Sequence, residues 1–299
     1  MARDHYIPRT YLRHFTKKYL SGERGGELAV YNLFNFRYRR ASINVHIGFE
    51  EGFYANHAID KRWQAEEMKW PRVVEKLQSR ADDVAVISDL LRFAAIQVGR
   101  VPVNMERVAK AMAFQKARKV PLPGQPGRAG MIVDMVSTAE LLDAVDEGNT
   151  RRIDLFGSFT SWTCHHSQTA ELLFTSDNPC LIVAETSSIY FPLSANLALI
   201  GHAVSERLLA PRLCHRNATP ETVRKINALI VKGAKDFIYA ADASAGLGKF
   251  IEKHRKGIDR FAMAGRTFAG KVEPIEQSKF HDLLARVNKS REEQGRAPC

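Results

Sequence analysis

The chain has 299 residues, 45% hydrophobic and 26% charged, a globular balance that allows one large domain or two modest ones. It holds no run of about eighteen apolar residues, so no membrane-spanning helix is expected, and its polar start, Met1-Ala2-Arg3-Asp4-His5, shows no signal-peptide core. The net charge of +11 favours an anionic partner, a phosphorylated ligand or nucleic acid, and four widely spaced cysteines fit free thiols in a cytoplasmic protein.

Residues 5–15 gather aromatic, basic and imidazole groups. Pro8 suits a first helical turn, and Tyr11, Leu12 and Phe15 recur at helical spacing toward a core. Arg9 and Arg13 lie four apart on one face, and His5 precedes the helix, where it is free to turn inward. The segment reads either as a phosphate-binding or acid/base cluster, or as a docked helix with solvated arginines. A turn over 21–26 leads to a strand over 27–36, followed by the basic exit Arg37-Tyr38-Arg39-Arg40, and a second extended piece spans 43–54.

The spacing of Ile59, Trp63, Trp70, Val73, Val74 and Leu77 predicts a helix over 56–77, with Asp60 and Glu67 near one stripe. Residues 84–102 form the most apolar helix, with Gln97 and Arg100 on the face of Phe93. A buried arginine is paired, so Arg100 calls for Asp177, Glu66, Glu67 or a ligand. A further helix covers 104–118. The stretch 119–130, with three prolines and three glycines, reads as an exposed loop. Then come a short helix or two over 132–148 and a strand over 155–165.

Residues 172–183 read as a hairpin. The apolar runs 172–174 and 181–183 flank Thr175-Ser176-Asp177-Asn178-Pro179, a rigid turn that presents a carboxylate, hydroxyls and an amide at a strand end. Strands follow over 189–194 and 197–204. The helix over 219–234 is capped by Thr219, with Pro220 in its first turn, and a short strand covers 235–240. The tail from Lys249 is charged and helical around 280–287. The run 243–250 imitates a phosphate loop, but Ala243 replaces the first glycine and Phe250 the magnesium-binding hydroxyl. Cys164-His165-His166 holds metal-capable groups, yet neighbours on a strand point to opposite faces, so no metal ligand is assigned there.

Four motifs in order, His5-Tyr-Ile-Pro8 with Tyr11-Leu12-Arg13 and Phe15, Arg100-Val-Pro102, Phe174-Thr-Ser-Asp177-Asn-Pro179, and Phe191-Pro-Leu193-Ser194, resemble the bacterial and fungal domain-of-unknown-function family 4238. The resemblance covers roughly residues 5 to 245 and implies that His5, Arg13, Arg100, Asp177 and Pro179 matter, for folding or for chemistry. It supplies no reaction.

The expected fold is α+β, a mainly helical N-terminal half packed on a small, mostly antiparallel sheet in the C-terminal half. A single domain would cover 5–245, with a charged, partly helical extension over 246–299. Three functions remain open. The first is an intracellular hydrolase of a phosphate-containing or nucleic-acid substrate, with His5 and Asp177 catalytic and Arg13, Arg100, Ser176, Asn178 and Gln97 on the substrate. The second is a non-catalytic nucleic-acid or nucleotide binding module using the same arginines. The third is structural, with Asp177 paired to Arg100 and function carried by protein contacts. No cofactor is assigned, and the oligomeric state is left open.

Overall fold

Helices form here where apolar side chains recur every three or four residues, and strands where β-branched and aromatic residues cluster between turns. The computed structural model describes residues 3–17, 26–43, 49–51, 57–81, 84–116, 118–121, 129–132, 137–168, 170–183, 186–243 and 245–255. In chain order the elements are β1 (Arg3–His5), α1 (Arg9–Leu12) with a 3-10 turn over Arg13–Phe15, β2 (Glu27–Asn32), β3 (Arg37–Ser42), β4 (Phe49–Glu51), α2 (His57–Glu67), α3 (Trp70–Gln78), α4 (Val84–Arg100) and α5 (Pro102–Lys116). They continue with β5 (Arg118–Pro121), β6 (Ala129–Ile132), α6 (Thr138–Ser158), β7 (Thr160–Ser167), β8 (Thr175–Ser176), β9 (Leu181–Val183), β10 (Ser188–Ser194), β11 (Leu197–Ala203), β12 (Arg212–Ala218), α7 (Pro220–Gly233), β13 (Phe237–Ala240) and α8 (Ala245–Arg255).

The fold is α+β, but the strands are not confined to one small C-terminal sheet. Among the described residues a five-stranded sheet runs β12-β7-β11-β10-β9 and a four-stranded sheet runs β3-β2-β13-β8, beside two-stranded ribbons β1-β4 and β5-β6. The five-stranded sheet is mixed, because β12 lies parallel to β7 while the other pairs are antiparallel. The four-stranded sheet takes half its strands from the N-terminal part of the chain, which is therefore less purely helical than the sequence implied.

Local chemistry explains the other departures. The helix expected over 56–77 is two helices. Lys69 N–H bonds the Glu66 carbonyl in a tightened last turn, and Pro71 has no N–H and a ring that collides with the carbonyl four residues back. The pieces expected over 132–148 are one long helix, α6, opened by a capping box in which Ser137 Oγ accepts from Glu140 N–H and the Glu140 carboxylate accepts from Ser137 N–H. This helix absorbs Leu155 and Phe156, so the strand expected from 155 starts at Thr160. The ends of the proline- and glycine-rich stretch pair as β5 and β6, and residues 122–128 lie outside the described residues.

The expected hairpin over 172–183 is instead a crossover. Thr175 and Ser176 pair with β13 in the four-stranded sheet, whereas Leu181–Val183 pair with β10 in the five-stranded sheet. The turn between them is the seam of the molecule. Tyr11 clamps this seam from the N-terminus. Its ring is fully buried against Phe191 (5.7 Å) and its hydroxyl lies 2.7 Å both from Thr175 Oγ1 and from the Pro192 carbonyl. One phenol thus bonds both sheets, with Trp70 and Phe93 stacked at 3.9 Å beside it.

Candidate functional site

The turn at the seam is held by side chains aimed at distant backbone. Asp177 Oδ1 accepts from Lys235 N–H (2.8 Å), and Oδ2 accepts from Asp236 N–H (2.6 Å) and Phe237 N–H (3.1 Å). Burial pushes its carboxyl up to about 6, against the downward pull of these donors. Ser176 Oγ donates to the Asn178 carbonyl (2.8 Å) and accepts Asn178 N–H (3.1 Å), while Asn178 Nδ2 donates to the Gly233 carbonyl (2.9 Å). Glycine suits position 233, since a Cβ would lie 2.3 Å from Leu181 Cδ2 and the leucine side chain would have to shift. Ser176, Asp177 and Asn178 together therefore fasten the end of α7 and the start of β13.

Arg100 does not join them. Its buried guanidinium bonds Glu67, one of the carboxylates the sequence offered, and lies 5.5 Å from the Trp63 ring. None of the groups on the Asp177 carboxylate comes from Arg100, so the expected Asp177–Arg100 network is not formed. Gln97 is fully buried on α4, and among the described residues neither its side-chain oxygen nor its nitrogen has a hydrogen-bond partner. Arg13 sits half-buried in the 3-10 turn after α1. His5 ends β1 opposite Phe49, and its side chain lies outside the described residues.

A small recess of about 10 Å³ lies beside the seam turn, where the corner between α4 and α5 meets residues 178–180. Val98, Val101, Val103, Asn104, Arg107, Asn178 and Cys180 line it. Burial draws the Arg107 guanidinium down to about 10. Arg152 on α6 is also drawn to about 10, by burial first and then by the charge of Arg107. Both remain cations at neutral pH. Among the described residues no carboxylate pairs with Arg152, and its bond goes to Asn149 Oδ1 at 2.5 Å. Asn149 is itself buried, and its Nδ2 has no hydrogen-bond partner among the described residues. The close approach rests on Gly99, where a Cβ would stand 2.1 Å from Asn149 Oδ1 and 3.0 Å from Arg152 Nη1. Arg107, Arg152, Asn104 and Asn149 were all missed by sequence reasoning. A glycine inside the apolar run of α4 was the available signal, because such a glycine marks close approach of another element.

A second cluster lies on the five-stranded sheet and includes Cys164 and His166. Adjacent residues do alternate, but Cys164 and His166 are two apart and share a face, and parallel pairing sets His215 of β12 opposite Cys164. The donor atoms of Cys164, His166 and His215 all lie within 4.8 Å of one another. Burial holds His166 down near 4 and pushes the Cys164 thiol up to about 12.

Fold and cleft define an α+β protein whose two sheets meet at a buried acidic turn next to an arginine-lined recess. The chain belongs to the family described as protein of unknown function (DUF4238), whose sequence model matches residues 3–244. No curated protein and no solved structure matches it. Helix α8, past the matched residues, still packs on α7: Ile251 is buried and Arg255 donates to the carbonyls of Val231, Ala234 and Lys235. No helix among the described residues is long and apolar enough to cross a membrane.

Proposed function

We propose that the protein binds an anionic ligand, carrying a phosphate or carboxylate group, in the cleft beside the seam turn. Arg107 on the lining supplies the charge, with Arg152 behind it close enough to feel that charge, and the Asn104 and Asn178 amides at the lining supply direction. The observation that carries this reading is Arg152, a desolvated guanidinium near a second one, with an amide oxygen for its bond and no carboxylate among the described residues. Removing a cation from water costs several kcal/mol unless a counter-charge returns it, and a bound anion would do so. The hydrolase form of the function has weaker support, because both oxygens of Asp177 already accept backbone N–H groups.

A second reading is favoured by the β2–β3 hairpin. Its tip and outer strand expose Phe34, Phe36 and Tyr38 among Arg37, Arg39 and Arg40, and Phe36 adopts φ of 53°, a strained conformation for a bulky residue. Aromatic and basic residues interleaved in this way suit stacking and phosphate contacts with single-stranded nucleic acid.

Thermal melts of wild type and Arg152→Met against inorganic phosphate, a nucleoside triphosphate, citrate and a single-stranded oligonucleotide separate the two. A ligand at a hundred times its Kd stabilises by about 2.7 kcal/mol. Small anions should raise the wild-type Tm and leave Arg152→Met unmoved, while the unliganded variant melts no lower than wild type because a half-buried guanidinium with no carboxylate partner among the described residues has gone. Equal stabilisation of both proteins by small anions would overturn the cleft. Stabilisation by the oligonucleotide alone, retained in Arg152→Met, moves the function to the hairpin.

A further inference from the structure

We propose that Cys164, His166 and His215 form a binding site for one transition-metal ion of the zinc type, held by three protein ligands with a fourth position open. The trio is made by sheet geometry and not by sequence proximity. Cys164 and His166 extend from one face of β7, and the parallel register of β12 brings His215 alongside. The ligating atoms are all within 4.8 Å of one another, and His166 Nε2 stands 2.9 Å from His215 Nδ1. Tetrahedral zinc with bonds of about 2.0–2.3 Å separates its ligand atoms by roughly 3.3–3.8 Å, so small rotations of two rings, now tilted at 46°, would admit the ion.

One thiolate and two imidazoles are soft and borderline donors. They select zinc, cobalt or copper over magnesium and calcium, which take oxygen. On binding, the Cys164 thiol gives its proton to solvent as the sulfur–metal bond forms, and the imidazole–imidazole hydrogen bond is exchanged for two nitrogen–metal bonds. Three protein ligands match the open form of zinc site, in which water or a substrate atom fills the last position. Cys214 is not a ligand. It stands next to His215 on β12, where neighbouring side chains alternate, and its Sγ lies 3.2 Å from Thr163 Oγ1. Arg80 is the opposing group. Its guanidinium bonds Asn217 Oδ1, and its charge already acts on both His166 and Cys164. A fixed cation there weakens the site for a second cation, so Arg80 sets the affinity.

The test uses the full chain stripped with chelator and titrated with Co2+ followed by Zn2+. One Co2+ per chain should bind with a thiolate-to-cobalt charge-transfer band and tetrahedral visible bands, both removed by Zn2+ and unaffected by Mg2+ or Ca2+. Cys164→Ser should abolish the charge-transfer band, and His215→Gln, at a half-buried position on the edge strand β12, should weaken Co2+ binding at least tenfold. The second variant keeps the test valid if the buried serine disturbs folding. Cys214→Ser should leave the spectrum unchanged, and Arg80→Gln should tighten binding several-fold. Absence of a charge-transfer band in the wild type, or a band that survives Cys164→Ser or disappears in Cys214→Ser, would overturn the proposal. So would unchanged Co2+ affinity in His215→Gln.

Discussion

Replacing Asp177 tests how the seam is held, and two variants separate charge from hydrogen bonding. The carboxylate accepts three backbone N–H groups from residues 235–237, which open β13. Its rise from 3.8 to about 6 under burial means that the charge itself opposes folding at neutral pH, by about 3 kcal/mol at 1.36 kcal/mol per unit. Asp177→Ala removes that burden but orphans three donors. At about 2 kcal/mol for each unsatisfied group, the loss is about 6 kcal/mol, leaving a net destabilisation of about 3 kcal/mol. Asp177→Asn removes the same burden and keeps an acceptor oxygen able to serve the Asp236 and Phe237 N–H groups. Only the Lys235 N–H is orphaned, so this variant should stay within about 1 kcal/mol of wild type. With about 2 °C per kcal/mol for a chain of this size, calorimetry at pH 7 should place the alanine variant about 6 °C lower and the asparagine variant near the parent. An asparagine variant that melts as low as the alanine variant would refute the reasoning, because the negative charge would then be what holds the turn.

Two further outcomes follow from buried charge and buried imidazole. Glu67→Ala takes a carboxylate from the Arg100 guanidinium, only 1% exposed, and should cost up to about 3–5 kcal/mol in denaturant unfolding, whereas Arg100→Met leaves a carboxylate nearer to solvent and should cost clearly less; the reverse order would remove this ion pair from the core. His14 is buried, donates from Nδ1 to the Thr10 carbonyl and is held near 4 by burial, so between pH 6.5 and 4 the unfolded chain binds more protons than the folded one. Its contribution is complete above pH 6.5 and is lost as pH falls to 4, by about 3 kcal/mol, so the stability of His14→Asn should fall less over that interval; an unchanged slope would show that His14 does not titrate there.

Much of the fold was legible because its signals were local. Apolar periodicity placed α4, Thr219 and Pro220 placed the start of α7, and short apolar runs placed β10, β11 and β13 within one or two residues. What failed depended on partners far away in the chain. Two short apolar runs around a polar turn look the same whether they pair with each other or with separate sheets. The choice is made by Asp177 reaching residues 235–237 and by Leu181 pairing with Tyr190. β12, Arg-Leu-Cys-His-Arg-Asn-Ala, was invisible because it is an edge strand with little to bury, and with it went His215. The cleft arginines resembled surface charges. Nothing within a few residues of Arg152 announces that α6 presses it against Gly99.

The family motifs acquire a physical meaning at the seam. Tyr11 from the first motif bonds Thr175 of the third and Pro192 of the fourth, and the backbone of His14 accepts the Ala195 N–H just past the fourth. The second motif runs from Arg100, which locks α2 to α4 through Glu67, into Val101, which lines the cleft with Asn178 of the third. Three of the four motifs thus meet directly where the two sheets join, and the second meets the third across the cleft. Their contacts are those of a scaffold: a doubly bonded phenol, a carboxylate capping backbone, a buried ion pair. Arg107, which lines the recess, and Arg152, which feels its charge, stand outside the motifs. A rigid seam with separable charges on its flank lets the recess change its ligand without disturbing the join of the sheets, since replacing Arg152 touches none of the bonds made by Tyr11, Asp177 or Arg100.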